Sequence, residues 1–128
     1  MVNGIESNRM EDRRKYKRFP TQLKALYLDE KTEEWKDCSV TNISREGMGI
    51  CVYSQEIINV DSILQLKIIA PLKKEPIDVT GTLMWIRELK ENPRFNFVGG
   101  AMIIAIDPED KWALLDYVYE GWCRREES

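Results

Sequence analysis

Histidine is absent from all 128 residues. That removes Ser-His-Asp and Cys-His nucleophile systems and histidine-based metal sites from consideration. Cysteine is scarce: Cys38, Cys51 and Cys123 are odd in number and never paired as CxxC. Cys38 and Cys51 sit in alternating apolar segments, where a buried free thiol is expected. No stretch approaches the roughly 20 apolar residues that cross a bilayer. The start, Met1 to Glu6, has no basic-then-apolar run, so no secretory signal is expected and the cytoplasm is the default compartment. Asp37, Asp78 and Asp107 have no partner spacing for acid/base work or metal binding. The expectation is therefore a protein that is not an enzyme and has no metal and no cofactor.

What is present is a globular balance, 43% hydrophobic and 32% charged, in a chain long enough for one core. The net charge is only −3, but it is unevenly spread. Between residues 9 and 18, Arg9, Arg13, Arg14, Lys15, Lys17 and Arg18 stand against Glu11 and Asp12. That local balance of +4 leaves −7 for the remainder. A short basic arm on an acidic body fits a small anionic partner at one place. It does not fit a long DNA or RNA, which would want a broad basic face.

Residues 1 to 12 are polar and lack periodicity, so they read as a flexible tail ahead of a single domain, 13 to 128. The basic arm covers 13 to 19 and ends at Phe19-Pro20, where proline biases its predecessor toward extended backbone. Strand signals then run to about 106: Leu23 to Leu28, Trp35 to Thr41, Gly47 to Tyr53, Ile63 to Ile69, Ile77 to Leu89 and Phe95 to Ile106. Six short strands with turn punctuation predict a mainly β fold, a small antiparallel barrel. A C-terminal helix is expected over about 108 to 124. Asp107 is a good N-cap, Pro108 suits the first helical position, and Glu109 and Asp110 complement the dipole. Trp112, Leu115, Tyr119 and Trp122 share one face with Val118 beside them, and that stripe is expected to pack on the barrel. Tyr119 and Trp122 could instead form part of a homodimer surface.

Two short stretches carry the chemistry: Arg14-Lys15-Tyr16-Lys17-Arg18, and Asn42-Ile43-Ser44-Arg45-Glu46-Gly47. Alone, the first reads as a solvated basic tail and the second as an ordinary hairpin turn. An arginine fork presents paired N–H donors that match phosphate oxygens or the O6/N7 edge of guanine. Asn42 and Ser44 form turns and would display amide and hydroxyl groups at the barrel rim, and Gly47 supplies backbone conformations closed to other residues.

R-x-x-x-R followed by D/N-x-S-x-x-G resembles the PilZ domain family, whose members bind the bacterial second messenger cyclic di-GMP. The resemblance covers roughly residues 13 to 124. Gly81-Thr82-Leu83-Met84-Trp85-Ile86 is similar to the family's Gly-x-Val-x-Trp strand, and Phe97-Val98-Gly99-Gly100-Ala101-Met102 to its late Val-Gly strand. The resemblance implies a PilZ-like split barrel and a cyclic di-GMP receptor that changes its surface to signal to a downstream protein. Arg14 and Arg18 match the arginines that grip guanine and phosphate, and Asn42, Ser44 and Gly47 the positions around the other guanine. Arg13 precedes the motif. In similar proteins an arginine there goes with a stacked pair of ligand molecules, so a 2:1 site is expected. Gly99 and Gly100 are candidate points of close ligand approach, with core packing as the other explanation. The arm is expected to order over the barrel mouth when ligand arrives, with a net affinity around micromolar, roughly −8 kcal/mol. Family members without the arginines are protein–protein adaptors that ignore the nucleotide, which is the alternative reading. Motility, exopolysaccharide, pili and virulence are all outputs of similar proteins.

Overall fold

The computed structural model of the chain describes residues 18–71 and 73–127. The expected tail and most of the arm, including Arg13 and Arg14, lie outside the described residues. Six strands are formed: β1 Phe19–Asp29, β2 Glu34–Ile43, β3 Gly47–Val52, β4 Ile63–Ile69, β5 Ile77–Glu88 and β6 Phe97–Ile106. A helix, α1, spans Pro108–Glu127. Neighbouring strands are antiparallel in the order β1-β2-β3-β6-β5-β4, and β1 pairs back onto β4 to close a barrel. Closure removes the unpaired edges that an open sheet of these strands would expose.

The barrel forms because apolar residues recur at every second position and so share one face of each strand. Leu23, Ala25 and Tyr27 of β1 point inward, as do Leu64, Leu66 and Ile68 of β4 and Met48, Ile50 and Val52 of β3. Each fully buried aliphatic side chain contributes about 1.5–3 kcal/mol by leaving water. Tyr27, the one fully buried phenol among the described residues, satisfies its hydroxyl by donating to the Tyr53 carbonyl at 2.7 Å.

At the start of α1, Asp107 accepts from the backbone N–H of Glu109 at 2.9 Å and of Asp110 at 3.4 Å, as its N-cap position predicts. The buried stripe differs from expectation. Leu114 and Val118 enter the core, while Trp112 and Tyr119 stay half exposed, at 54% and 50%. The packed face is turned by about 100°, one residue's rotation, from the aromatic stripe. The aliphatic side chains carry no polar atom to satisfy, whereas an indole or phenol brings a polar group that needs a partner when buried. Only Leu115 and Trp122 of the expected stripe are partly covered.

Candidate functional site

Strict alternation along β2 would point Val40 and Asn42 into the barrel together. A register shift between them prevents this. Val40 and Ile43 are both buried, and Asn42 is thrown onto the outer face. A matching shift in β1 between Pro20 and Leu23 sets Pro20 opposite Asn42. Such bulges re-aim side chains at a barrel rim. Arg18 enters at this rim, and its Nη1 donates to Asn42 Oδ1 at 3.4 Å. Its Nη2 lies over Gly47, 3.2 Å from where a Cβ would stand. Arg18, Asn42 and Gly47 are therefore brought together.

Gly47 needs its missing side chain for a different reason from the one expected. No described glycine has a positive φ. The constraint is space: a Cβ at Gly47 would stand 2.9 Å from the Ala101 carbonyl oxygen of β6.

Ser44 also departs from expectation. It is 5% exposed, and its hydroxyl faces the turn and not the rim. Oγ accepts from the N–H of Glu46 at 3.3 Å and of Gly47 at 3.2 Å, and donates to the Gly47 carbonyl at 3.4 Å. A hydroxyl has one proton and two lone pairs, so its capacity is used. The Ser44 N–H closes the turn on the Gly47 carbonyl at 2.8 Å, and Ile103 N–H on β6 holds the Glu46 carbonyl at 2.6 Å. Ser44 shapes the turn that carries its neighbours. Arg45, which had no expected role, lies 5.3 Å from the Trp112 ring centroid.

A bulge in β5 repeats the device of β2. The shift between Leu83 and Trp85 leaves Leu83 and Ile86 facing inward and turns Trp85 outward opposite Gly100. Pro20, Asn42, Gly49, Gly100 and Trp85 thus form one cross-barrel row. Asn42 leans over Gly49, where a Cβ would overlap its Nδ2 and approach Thr41 Oγ1 to 2.7 Å. Trp85 lies over Gly100, where a Cβ would stand 2.8 Å from the ring's Cε2. Gly99 faces the core beside Leu83. The row spans three strand spacings, about 14 Å, from Asn42 to Trp85. Trp85 is 42% exposed, with the Arg87 guanidinium 5.8 Å from its ring centroid. Trp85, noted in the sequence only for its strand, and Gly49 were not among the expected site residues. The bulges that place them leave no mark in a period-two pattern.

A cavity of about 280 Å³ at the far end of β1 is lined by Tyr27, Asp29, Lys36, Glu56 and Ile57 among others. The Lys36 ammonium, 2.8 Å from Asp29, holds that carboxyl below the usual carboxylate range. Burial pushes the Cys38 thiol up to about 12. Among the described residues, no three His, Cys, Asp or Glu side chains gather as metal ligands, and no helix is long and apolar enough to cross a membrane.

Residues 12–120 match the family model of the PilZ domain. No curated protein sequence matches the chain. Among solved structures, the inhibitor of motility MotI/DgrA from Bacillus subtilis superposes with a TM-score of 0.70 at 19% identity, over 88% of this chain and 52% of that one. The PilZ domain of YcgR from Escherichia coli, solved with c-di-GMP, gives 0.65 at 12% identity over 89% and 94%. The MrkH–c-di-GMP complex of K. pneumonia gives 0.63 at 14% identity over 89% and 55%. The chain spans about half the length of MotI and MrkH. The likeness to all three is one of fold.

Proposed function

We propose that this chain, which belongs to the PilZ domain family, is a receptor for cyclic di-GMP. The observation that carries the reading is the meeting of Arg18, Asn42 and Gly47 at one barrel rim. The rim offers what a guanine nucleotide needs. A guanidinium fork suits phosphate oxygens or the guanine O6/N7 edge, and an outward amide can both donate and accept. Beside it, the half-exposed Trp85 ring offers a face on which a base can stack. Two of the similar structures hold c-di-GMP.

In this reading Arg14 joins Arg18 on the ligand, and Arg13 admits a second, stacked molecule. Ser44 acts through the turn it holds. The receptor is not an enzyme. It works in the cytoplasm and passes its signal to a downstream protein through a changed surface.

The test is isothermal titration of cyclic di-GMP into the purified protein, with Arg14→Ala and Arg18→Ala as controls and GTP as competitor. Saturable binding near micromolar, lost in Arg14→Ala, weakened in Arg18→Ala and unmatched by GTP, is the expected result, and its stoichiometry separates one ligand from two. No heat at high ligand would sink the receptor reading and leave a protein–protein adaptor.

A further inference from the structure

We propose that an aromatic clamp couples the nucleotide rim to α1. Phe19, held by Tyr119 and Trp122, sets the root of the arm so that Arg18 is positioned before ligand arrives. The inference rests on the receptor reading and concerns the regulation of that same site.

The Phe19 ring stands edge-on to both helix rings, 5.5 Å from Tyr119 at 86° and 5.5 Å from Trp122 at 63°. Tyr119 and Trp122 lie 6.1 Å apart at 34°. The two Phe19 contacts have the edge-to-face geometry that aromatic quadrupoles favour. Phe19 is one peptide bond from Arg18, and its other neighbour is Pro20, whose ring fixes φ. Phe19 pairs with Ile43 and Pro20 with Asn42, so the ladder holds both residues and the clamp holds Phe19 a second time. The backbone at Arg18 cannot swing far without pulling a ring off the helix.

The clamp matters equally to the helix, whose principal strand contact is β1. Among the described side chains, none beyond Val118 is fully buried. Its later turns therefore depend on contacts such as Phe19. Coupling between two sites is reciprocal. A docked helix raises affinity by holding Arg18 in place, since less ordering remains to be done on binding. A ligand that fixes Arg18 in turn holds Phe19 and steadies α1. The second half of α1 thereby becomes the element that reports occupancy.

The experiment uses the full chain and three variants: Trp122→Leu, Phe19→Leu, and Tyr119→Phe, which keeps the ring. Cyclic di-GMP affinity is measured by calorimetry and hydrogen exchange over residues 116 to 123 by mass spectrometry. Tryptic cleavage between Arg18 and Phe19 is timed without ligand. Trp122→Leu is expected to weaken binding by about fivefold or more, the lower range for coupled sites. It should also speed the Arg18–Phe19 cleavage, while Tyr119→Phe does neither. Ligand should slow exchange in the wild-type helix and not in Trp122→Leu. If Trp122→Leu fails to fold, Phe19→Leu breaks the clamp from the strand side. Normal ligand affinity and normal cleavage in these variants would overturn the clamp and leave the receptor intact. A wild type that binds nothing sinks the receptor reading instead. Cleavage then decides the clamp alone: faster in the variants supports it, unchanged overturns it.

Discussion

The Arg18 guanidinium and the Asn42 side-chain carbonyl meet at 3.4 Å although 24 residues separate them. The β1–β2 hairpin supplies the proximity, and paired register shifts supply the direction. Removing either partner is expected to weaken cyclic di-GMP binding by about 1–3 kcal/mol, the scale of one good base contact. Asn42→Ala should leave folding stability within about 0.5 kcal/mol, because its side chain is not in the core. Titration calorimetry on Arg18→Ala, Asn42→Ala and the double variant checks this. The two losses should not add, since the residues touch.

Ser44 behaves differently because its hydroxyl holds backbone and not solvent. Ser44→Ala removes the side-chain acceptor of the Glu46 and Gly47 N–H groups. A destabilisation of about 1–3 kcal/mol is expected, visible as a lower denaturant midpoint. Affinity should fall with it, as the turn relaxes under Arg18. Loss of affinity at full stability would instead indicate direct contact between the hydroxyl and the nucleotide.

At Gly100 the indole of Trp85 occupies the space that a side chain would need. Gly100→Ala should lift that ring outward, with a cost of about 1–3 kcal/mol typical of overpacking. The check is a red shift in tryptophan emission that is absent when the same change is made in a Trp85→Phe background. Lifting the ring should also alter ligand affinity, as it stands at the edge of the candidate rim.

Alkaline pH offers a test of the core. The Cys38 thiol ordinarily ionises near 9.0, and burial raises it to about 12 in the fold. Between these values the unfolded chain has released a proton that the folded chain retains, so stability falls as pH rises. The slope from this thiol approaches about 1.4 kcal/mol per pH unit. Below pH 9.0 its contribution is fully present. Chemical denaturation from pH 8 to 11 should show a shallower decline in Cys38→Ala than in wild type.

Much of this was legible in the chain. β4 runs over Ile63–Ile69 and α1 begins at Pro108, both as read from pattern and capping. Those signals are local: a strand declares itself by which neighbours are apolar, and a cap by the residue beside it. Of the motif residues, Arg18, Asn42 and Gly47 converge, while Arg13 and Arg14 lie outside the described residues. Their individual tasks were less legible. Ser44 was expected to display its hydroxyl and instead folds it into the turn. Gly47 was expected to relax the backbone and instead clears room for Ala101 and Arg18.

The sequence by itself determined the composition that forbids histidine chemistry, the alternation that makes strands, the capped helix and the family. Each follows from residue identity and short-range spacing. Only the tertiary structure decided that Asn42 and Trp85 leave the inward phase of their strands to flank Gly49 and Gly100. It also decided which face of α1 is buried and that Phe19 closes on Tyr119 and Trp122. A bulge is chosen by how two strands pair, and a clamp by where a helix docks. Both depend on contacts between segments far apart in the chain, which no local pattern records.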